Sequence, residues 1–267
     1  MKKQFKLGVI GGGYDAFSLL RGVVLSDFIR EKKIIVSDEN EDALDEIENS
    51  LGVKTTLSNK FVAQNSEYLV LAVNPKEFTK VAETLEGVRP EKVISLMNGI
   101  TKSQIKNALG VGLIKVARVV MNLPCFIGSG AIGIDMTDFN KSLDDTEFIS
   151  KALSNVGRTV SLGEDNLNAV TALSGNGVYS LMFLDGLIDA GVNLGLSRNH
   201  AKILAVESVM GIAELVRRED KSIDDLVLQT CKENSSAIKS VKALQDGEFK
   251  KLISSAVSVC FSKDGEQ

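Results

Sequence analysis

The sequence predicts an α/β fold: a doubly wound parallel sheet in the N-terminal part, followed by an all-helical C-terminal part. Three observations carry this reading. Short β-type runs alternate with helix-like segments through residues 1–162, and parallel neighbours need a crossover, usually helical and right-handed. A glycine cluster, Gly11-Gly12-Gly13, separates the first run from the first helical pattern. From residue 163 onward the pattern is helical only. The chain is therefore expected to hold two domains, 1–162 and 163–267, which suits its 267 residues.

Lys6-Leu7-Gly8-Val9-Ile10 reads as a buried strand that stops at the glycines. Residues 16–30 follow with apolar side chains at helical spacing, namely Phe17, Leu20, Val23, Val24 and Phe28. Residues 33–36 read as a second strand and 41–51 as a charged helix. Residues 68–73 make a third strand, stopped by Asn74-Pro75. Residues 92–96 and 114–119 read as strands four and five, and 157–162 as the last. In the second half, residues 166–194 are helix-like but interrupted by Ser174-Gly175-Asn176-Gly177, where glycine favours a break or a close backbone approach. Residues 199–216 carry Ile203, Val206, Met210, Ala213 and Leu215 around much of the helix, a pattern that calls for burial against a second subunit.

Composition narrows the function. Hydrophobic content of 44% with 25% charged residues describes a globular chain with a sizeable core. A net charge of −4 leaves no basic face for nucleic acid. No apolar stretch is long enough for a membrane span, and Phe5–Ile10 is too short for a secretory core. Three scattered cysteines and one histidine argue against a metal site and a disulfide framework, so a reducing, cytoplasmic setting is expected. His200 reads as a surface residue. Cys125 reads as a buried thiol rather than a nucleophile, since no base partner can be named. Asp185 and Asp189 share a helix face, either as a catalytic acid pair or, the favoured reading, as a solvated or salt-bridged face.

Gly11-Gly12-Gly13-Tyr14-Asp15-Ala16 fits G-x-G-x-x-A between a strand and a helix, the Rossmann fingerprint. Its glycines allow a tight turn and close approach of a pyrophosphate, and the helix N-terminus offers free N–H groups and a favourable dipole. Gly11, Gly13, Tyr14 and Ala16 are thus candidate cofactor residues. Asp15 places a carboxylate where a phosphate belongs, so it either repels the phosphate or caps the helix itself. The second strand ends at Ser37-Asp38, and residues 37–50 hold seven acids and no lysine or arginine. Asp38 suits ribose hydroxyls, and a 2′-phosphate would be repelled, so NADH is favoured over NADPH. A solvated acidic helix with no ligand is the competing reading.

These segments, with several others, make the chain similar to pyrroline-5-carboxylate reductases over nearly its full length. The resemblance is carried by residues 8–13, 35–38, Leu71-Ala72-Val73-Asn74-Pro75 and Asn98-Gly99-Ile100-Thr101. It is most specific in residues 169–177, 189–196 and 243–249. It implies a Rossmann domain followed by a helical dimerisation domain, a homodimer or a higher oligomer built from dimers, and NADH- or NADPH-dependent reduction of a cyclic imine to proline. It further implies cofactor contacts from Ala72, Asn74, Pro75, Asn98 and Gly99, and a substrate pocket lined by Asn122, Ser174, Gly175, Asn176 and Gly177.

Departures from the family pattern cluster at the site. Gly-Asn-Met becomes Gly13-Tyr14-Asp15, Val-Lys-Pro becomes Val73-Asn74-Pro75, and Ser-Gly-Ser-Gly-Pro becomes Ser174-Gly175-Asn176-Gly177-Val178. Of Met-Pro-Asn-Thr-Pro, Asn122 and Pro124 survive. The glycine- and threonine-rich substrate loop is replaced by Cys231-Lys232-Glu233-Asn234-Ser235-Ser236-Ala237. The donor hydroxyl would fall at Ala237, which leaves Ser236 as the candidate proton donor and Ser235 as a candidate substrate contact. The same serines read equally well as a helix N-cap. Three functions follow: a proline-forming reductase, a reductase of the same lineage acting on another imine or keto substrate, and a non-catalytic or regulatory paralogue that keeps the dimeric scaffold for protein interaction.

Overall fold

The computed structural model describes residues 3–110, 112–175, 177–231 and 236–261. Two compact units part between residues 176 and 177, the second being Gly177–Val259.

In the first unit, β1 (Phe5–Ile10), α1 (Tyr14–Leu25), β2 (Ile34–Ser37), α2 (Glu41–Leu51), β3 (Lys54–Thr56), α3 (Asn59–Asn65) and β4 (Ser66–Leu71) form the first half. The second half comprises α4 (Phe78–Thr84), β5 (Lys92–Ser95), α5 (Lys102–Leu109), β6 (Lys115–Val120), β7 (Gly130–Asp135), α6 (Leu143–Ser154), β8 (Gly157–Ser161) and α7 (Leu167–Val170). The eight strands lie in the order β3-β2-β1-β4-β5-β6-β7-β8. Every pairing is parallel except β6 with β7. Strand order reverses between β1 and β4, the switch point where such sheets bind ligands.

Alternation of side chains divides the core between the two faces of the sheet. Leu7, Val9, Ile34, Val36 and Val70 pack under Leu19, Leu20, Val23, Ile47 and Ile149 from α1, α2 and α6. Ile35, Leu69, Leu71, Val93 and Val116 pack under Val62, Phe78, Val81 and Ile105 from α3, α4 and α5.

Three sequence expectations need correction. The sheet has eight strands rather than six, because β3 is only three residues long and β7 is glycine-rich. Glycine weakens a strand signal, yet β7 needs it: a Cβ at Gly133 would lie 2.8 Å from the Val170 side chain. The sheet is mixed, since β7 turns back against β6. α1 ends at Leu25 instead of residue 30, where the Ser26 hydroxyl donates to the Gly22 carbonyl and Asp27 takes φ 55°. Residues 164–175 stay on the sheet, with Leu167 and Ala172 fully buried.

Two ionic clusters tie helices to the sheet. At the N-terminal ends of the strands, Asp145 of α6 accepts from the Tyr68 hydroxyl at 2.6 Å and the Ser142 hydroxyl at 2.6 Å, and pairs with Lys92 at 2.6 Å. Tyr68 also stacks on Phe148 of α6 at 4.1 Å. On β6 and β7, buried Lys102 pairs with Asp135 at 3.1 Å, and buried Arg118 pairs with Glu164 at 2.9 Å.

The second unit contains α8 (Val178–Asn193), α9 (Arg198–Arg218), α10 (Ile223–Thr230), α11 (Ser236–Asp246) and α12 (Phe249–Val259). α8 and α9 cross closely at Gly191, where a Cβ would stand 2.9 Å from that of Ala201. Of the described residues in this unit only Ala201 and Ala205 are buried, while Leu181, Met182, Phe183, Ile203, Leu204 and Met210 are exposed. Asp185 and Asp189 both pair with Arg198, at 3.0 and 2.8 Å, so they form a salt-bridged face rather than a catalytic pair.

Burial alone would raise the Asp145 pKa, but Lys92 and the Ser142 and Tyr68 hydroxyls hold it down to about 2. Its stabilising contribution is therefore full above the ordinary carboxylate range near pH 4 and is lost as pH falls toward 2. Asp145→Asn is expected to cost on the order of 2 kcal/mol at pH 7 and progressively less below about pH 4 in urea unfolding. An equal loss at both pH values would show that the charge is not what stabilises this corner.

Candidate functional site

The glycine turn sits at the switch point. Gly11 N–H donates to the Ser37 carbonyl at 2.8 Å, and Ala72 N–H donates to the Ile10 carbonyl at 2.8 Å. Gly11 adopts φ +99°, and a Cβ there would lie 2.7 Å from the Ala72 carbonyl carbon. Only glycine satisfies both demands. Gly13 is the N-cap of α1, where no side chain caps the helix, and a Cβ on Gly13 would meet nothing within 4 Å. Asp15 therefore does not cap α1, and the first-turn N–H groups are left for an anion.

On the β2 side, the Asp38 carboxylate accepts from Gly12 N–H at 2.6 Å and from Asn40 N–H at 2.8 Å. It braces the glycine turn against the start of α2. Beside it lies a cavity of about 190 Å³ lined by Gly11, Ser37, Asp38, Glu39, Asn59, Lys80 and Thr84 among others. The Ser37 hydroxyl donates to Asn59 Oδ1 at 2.8 Å, and Asn59 Nδ2 donates to Thr84 Oγ1 at 3.2 Å. Lys80 pairs with Glu39 at 2.7 Å. Asn59 and Lys80 escaped the sequence reading, which counted Glu39 only as one of the acids after β2. Asn59 follows the short β3, and Lys80 comes from α4, far from the acidic run it neutralises.

The opposite side of the turn faces the loop after β6. The Tyr14 hydroxyl donates to the Leu123 carbonyl at 3.0 Å, and its ring stacks on Phe126 at 5.7 Å. Arg21 adds a 2.6 Å bond to the Phe126 carbonyl. Tyr14 is thus a latch between α1 and this loop. Asn122 Oδ1 accepts from Ala131 N–H at 2.9 Å, which fixes the amide and leaves its NH2 end available to a ligand. Cys125 is buried, and burial pushes its thiol pKa up, as befits a packed thiol rather than a nucleophile. Asp15 lies near enough to Cys125 to raise that pKa further. Burial raises the Asp15 pKa as well, and the carboxylate has no hydrogen-bond or ion-pair partner among the described residues.

The remaining sequence candidates fall as follows. Asn74 caps a short 3-10 turn at Pro75–Glu77 by accepting from Lys76 N–H at 3.0 Å, so its side-chain oxygen is already engaged. Asn98 is exposed beside Gly99, which takes φ +76° in the loop after β5. Residues Thr171–Gly175 form a π-helical turn, a geometry frequent at functional sites. In it the Ser174 hydroxyl donates to the Val170 carbonyl at 3.0 Å, and Gly175 approaches Val120 of β6. Gly177, in the second unit, takes φ +58° at the start of α8. Ser236 is exposed at the start of α11. Asn176 and Ser235 lie outside the described residues. Among the described residues no group of histidine, cysteine, aspartate or glutamate could hold a metal ion. No described helix is long and apolar enough to cross a membrane.

The chain is 30% identical over 261 residues to pyrroline-5-carboxylate reductase 2 of Bos taurus, covering 94% of this chain and 80% of that protein. It belongs to the pyrroline-5-carboxylate reductase family. A bacterial relative, the pyrroline-5-carboxylate reductase of Synechocystis, is 29% identical over 267 residues, covering 98% of both proteins. The family model for pyrroline-5-carboxylate reductase dimerisation matches residues 164–267, and that for NADP oxidoreductase, coenzyme F420-dependent, matches residues 6–99. Among solved structures, a pyrroline-5-carboxylate reductase from Coxiella burnetii superposes with a TM-score of 0.86 at 26% identity, over 98% of this chain and 97% of that one. The Plasmodium falciparum enzyme, solved with NADP bound, shares the fold with a TM-score of 0.83 at 22% identity, covering 97% of each chain. As a member of the pyrroline-5-carboxylate reductase family the chain is an NAD(P)H-dependent oxidoreductase acting on a C=N bond. It takes a nicotinamide cofactor and a small-molecule substrate, and its helical half is an oligomerisation region.

The open glycine turn, the uncapped helix and the cavity beside Asp38 fit a dinucleotide; at the start of α1, Asp15 is a carboxylate whose charge opposes its pyrophosphate. When ionised, Asp15 repels the pyrophosphate, so affinity should fall as pH rises through its elevated pKa. Calorimetric titration with NAD+ from the ordinary carboxylate range near pH 4 upward is expected to show this weakening in the native protein and none in Asp15→Asn. Asp15→Met should tighten binding about threefold to tenfold at the alkaline end. A pH dependence that survives in Asp15→Asn would assign the effect to another group.

Proposed function

We propose that the protein reduces 1-pyrroline-5-carboxylate, or a close cyclic imine, to the corresponding amine, proline in the first case, with NADH as the preferred donor. The observation that carries this is the uncapped start of α1 above Gly11, with the Asp38 carboxylate at its β2 side. That arrangement suits a pyrophosphate flanked by an adenosine ribose with free hydroxyls. The near full-length relationship to pyrroline-5-carboxylate reductases supports the substrate class. The non-catalytic alternative has no observation in its favour among the described residues.

The bound cofactor supplies the hydride that converts the imine carbon to an amine carbon. The chain's task is to position the two reactants and manage one proton. Tyr14, Phe17 and Arg21 hold the loop after β6 against α1, so that Asn122 presents its fixed NH2 group beside the same end of the glycine turn. Gly11, Gly13 and Tyr14 cradle the cofactor, with Ala16 fully buried behind them in the core, and Ala72, Asn74, Pro75, Asn98 and Gly99 border it from the ends of β4 and β5. The relationship to pyrroline-5-carboxylate reductases supports Ser174, Gly175, Asn176, Gly177 and Ser235 as the substrate contacts. Ser236 is the proposed donor of a hydrogen bond, or the proton, to the imine nitrogen. The exposed apolar faces of α8 and α9 are proposed to pair in a homodimer, the unit of any higher oligomer.

Initial rates of NADH oxidation with 1-pyrroline-5-carboxylate test the activity directly. NADH is expected to bind more tightly than NADPH. NADPH binding tighter by tenfold or more would mean that the acidic end of β2 has been misread. Ser236→Ala is expected to lower kcat on the order of a hundredfold with little change in the cofactor KM. Unchanged kcat would remove Ser236 from the chemistry.

A further inference from the structure

The adenosine end of the cavity holds a cation that the acidic run conceals. Lys80, from α4, meets Glu39, just beyond β2, at 2.7 Å, and both line the cavity with Asp38 and Glu77. Two carboxylates, Glu39 and Glu77, thus act on one ammonium, with Asp38 elsewhere in the cavity lining. Glu39 accepts the ammonium's hydrogen bond, and Glu77 adds a weaker attraction, both of which push the lysine pKa up and keep it charged. The other polar residues at this end, Ser37, Asn59 and Thr84, are neutral and bonded to one another in a chain.

The geometry points to the Glu39–Lys80 pair as the device that selects the cofactor: Glu39 holds Lys80 away from a 2′-phosphate, and removing Glu39 releases Lys80 to bind one. The inference rests on the proposed use of a nicotinamide dinucleotide and concerns only its adenosine end. Asp38 is a poor candidate for the same role, because both of its oxygens brace the backbone of the glycine turn and of α2. Among the described residues Glu39 makes no such contact; it accepts a hydrogen bond from Lys80. Side chains of the pair are 70% and 72% exposed, and an ion pair this open contributes little to folding. Its consequence is electrostatic. With Glu39 present, a doubly charged phosphate would have to displace a carboxylate from Lys80 and lie beside Glu39 and Glu77. With Glu39 neutral, Lys80 becomes a point charge free for phosphate, the ordinary use of a lysine at such sites. The effect should be largest at low ionic strength, since both groups face solvent.

The test is the ratio of the NADPH to the NADH dissociation constant, read from the fluorescence of the reduced nicotinamide. Glu39→Gln is expected to lower this ratio about tenfold at low salt, less at high salt. Adding Lys80→Met to Glu39→Gln should restore the ratio to near its native value, and Lys80→Met should move it less in the native background than in the Glu39→Gln background. Thermal unfolding of each variant checks that all are folded. A fall in the ratio that persists in the double variant would mean that Glu39 acts only by its own charge, and would overturn the proposal. No fall at all would overturn it too, while leaving the nicotinamide reading in place. Binding of neither nucleotide by the native protein would instead sink that reading, and this inference with it.

Discussion

At the switch point of the sheet the chain turns so tightly that Gly11 comes within contact distance of the Ala72 backbone, closer than any Cβ would allow. This approach is possible because β1 and β4 run side by side in register, Ile10 opposite Leu71, and leave the sheet together. The turn in turn sets where α1 begins, and hence where its unbonded N–H groups point. Asp38 reaches the turn from β2, and Tyr14 reaches from it to the loop after β6. The cofactor cradle is therefore one backbone contact with two side-chain braces, and each brace belongs to a different half of the sheet.

The rest of the first unit serves to keep that edge in place. Apolar residues alternate between two core layers, and the buried charges lie in two clusters. Asp145 with Lys92 and Tyr68 closes the edge of the sheet remote from the glycine turn. Lys102, Asp135, Arg118 and Glu164 bind the start of α5 and the segment before α7 to β6 and β7. Breaking either pair would strand a desolvated charge, which costs far more than an exposed pair returns. The contrast with Glu39 and Lys80 is instructive. Those side chains face solvent, hold little stability and are free to serve recognition. The second unit follows another logic: with almost nothing buried in α8 and α9, its apolar surface asks for a second copy of the chain.

Much of this was legible in the sequence, and the failures have physical causes. α2 was legible as a charged helix over 41–51, and the structure adds its start, where the Asn40 side chain accepts from Asp42 N–H. Gly11 and Asp38 were readable from their positions at strand ends. β7 was missed because its glycines, needed for contact with Val170, erase the β-type signal. The Asn59 and Lys80 contributions were hidden because they come from elements distant in sequence from the acids they meet. Asp15 was recognised as an intruder, but its burial and lack of a partner are tertiary facts. Ser236 was suggested by resemblance alone, and its local structure at the head of α11 does not distinguish a donor from a helix-starting residue.

The measurement that tests the central claim most directly is isotope transfer. The protein would be incubated with 1-pyrroline-5-carboxylate and NADH deuterated at both C4 positions of its dihydronicotinamide, and the product examined by mass spectrometry. Hydride transfer within the cradle predicts proline carrying one deuterium at the former imine carbon. Unlabelled proline, or no proline at all, would contradict the account.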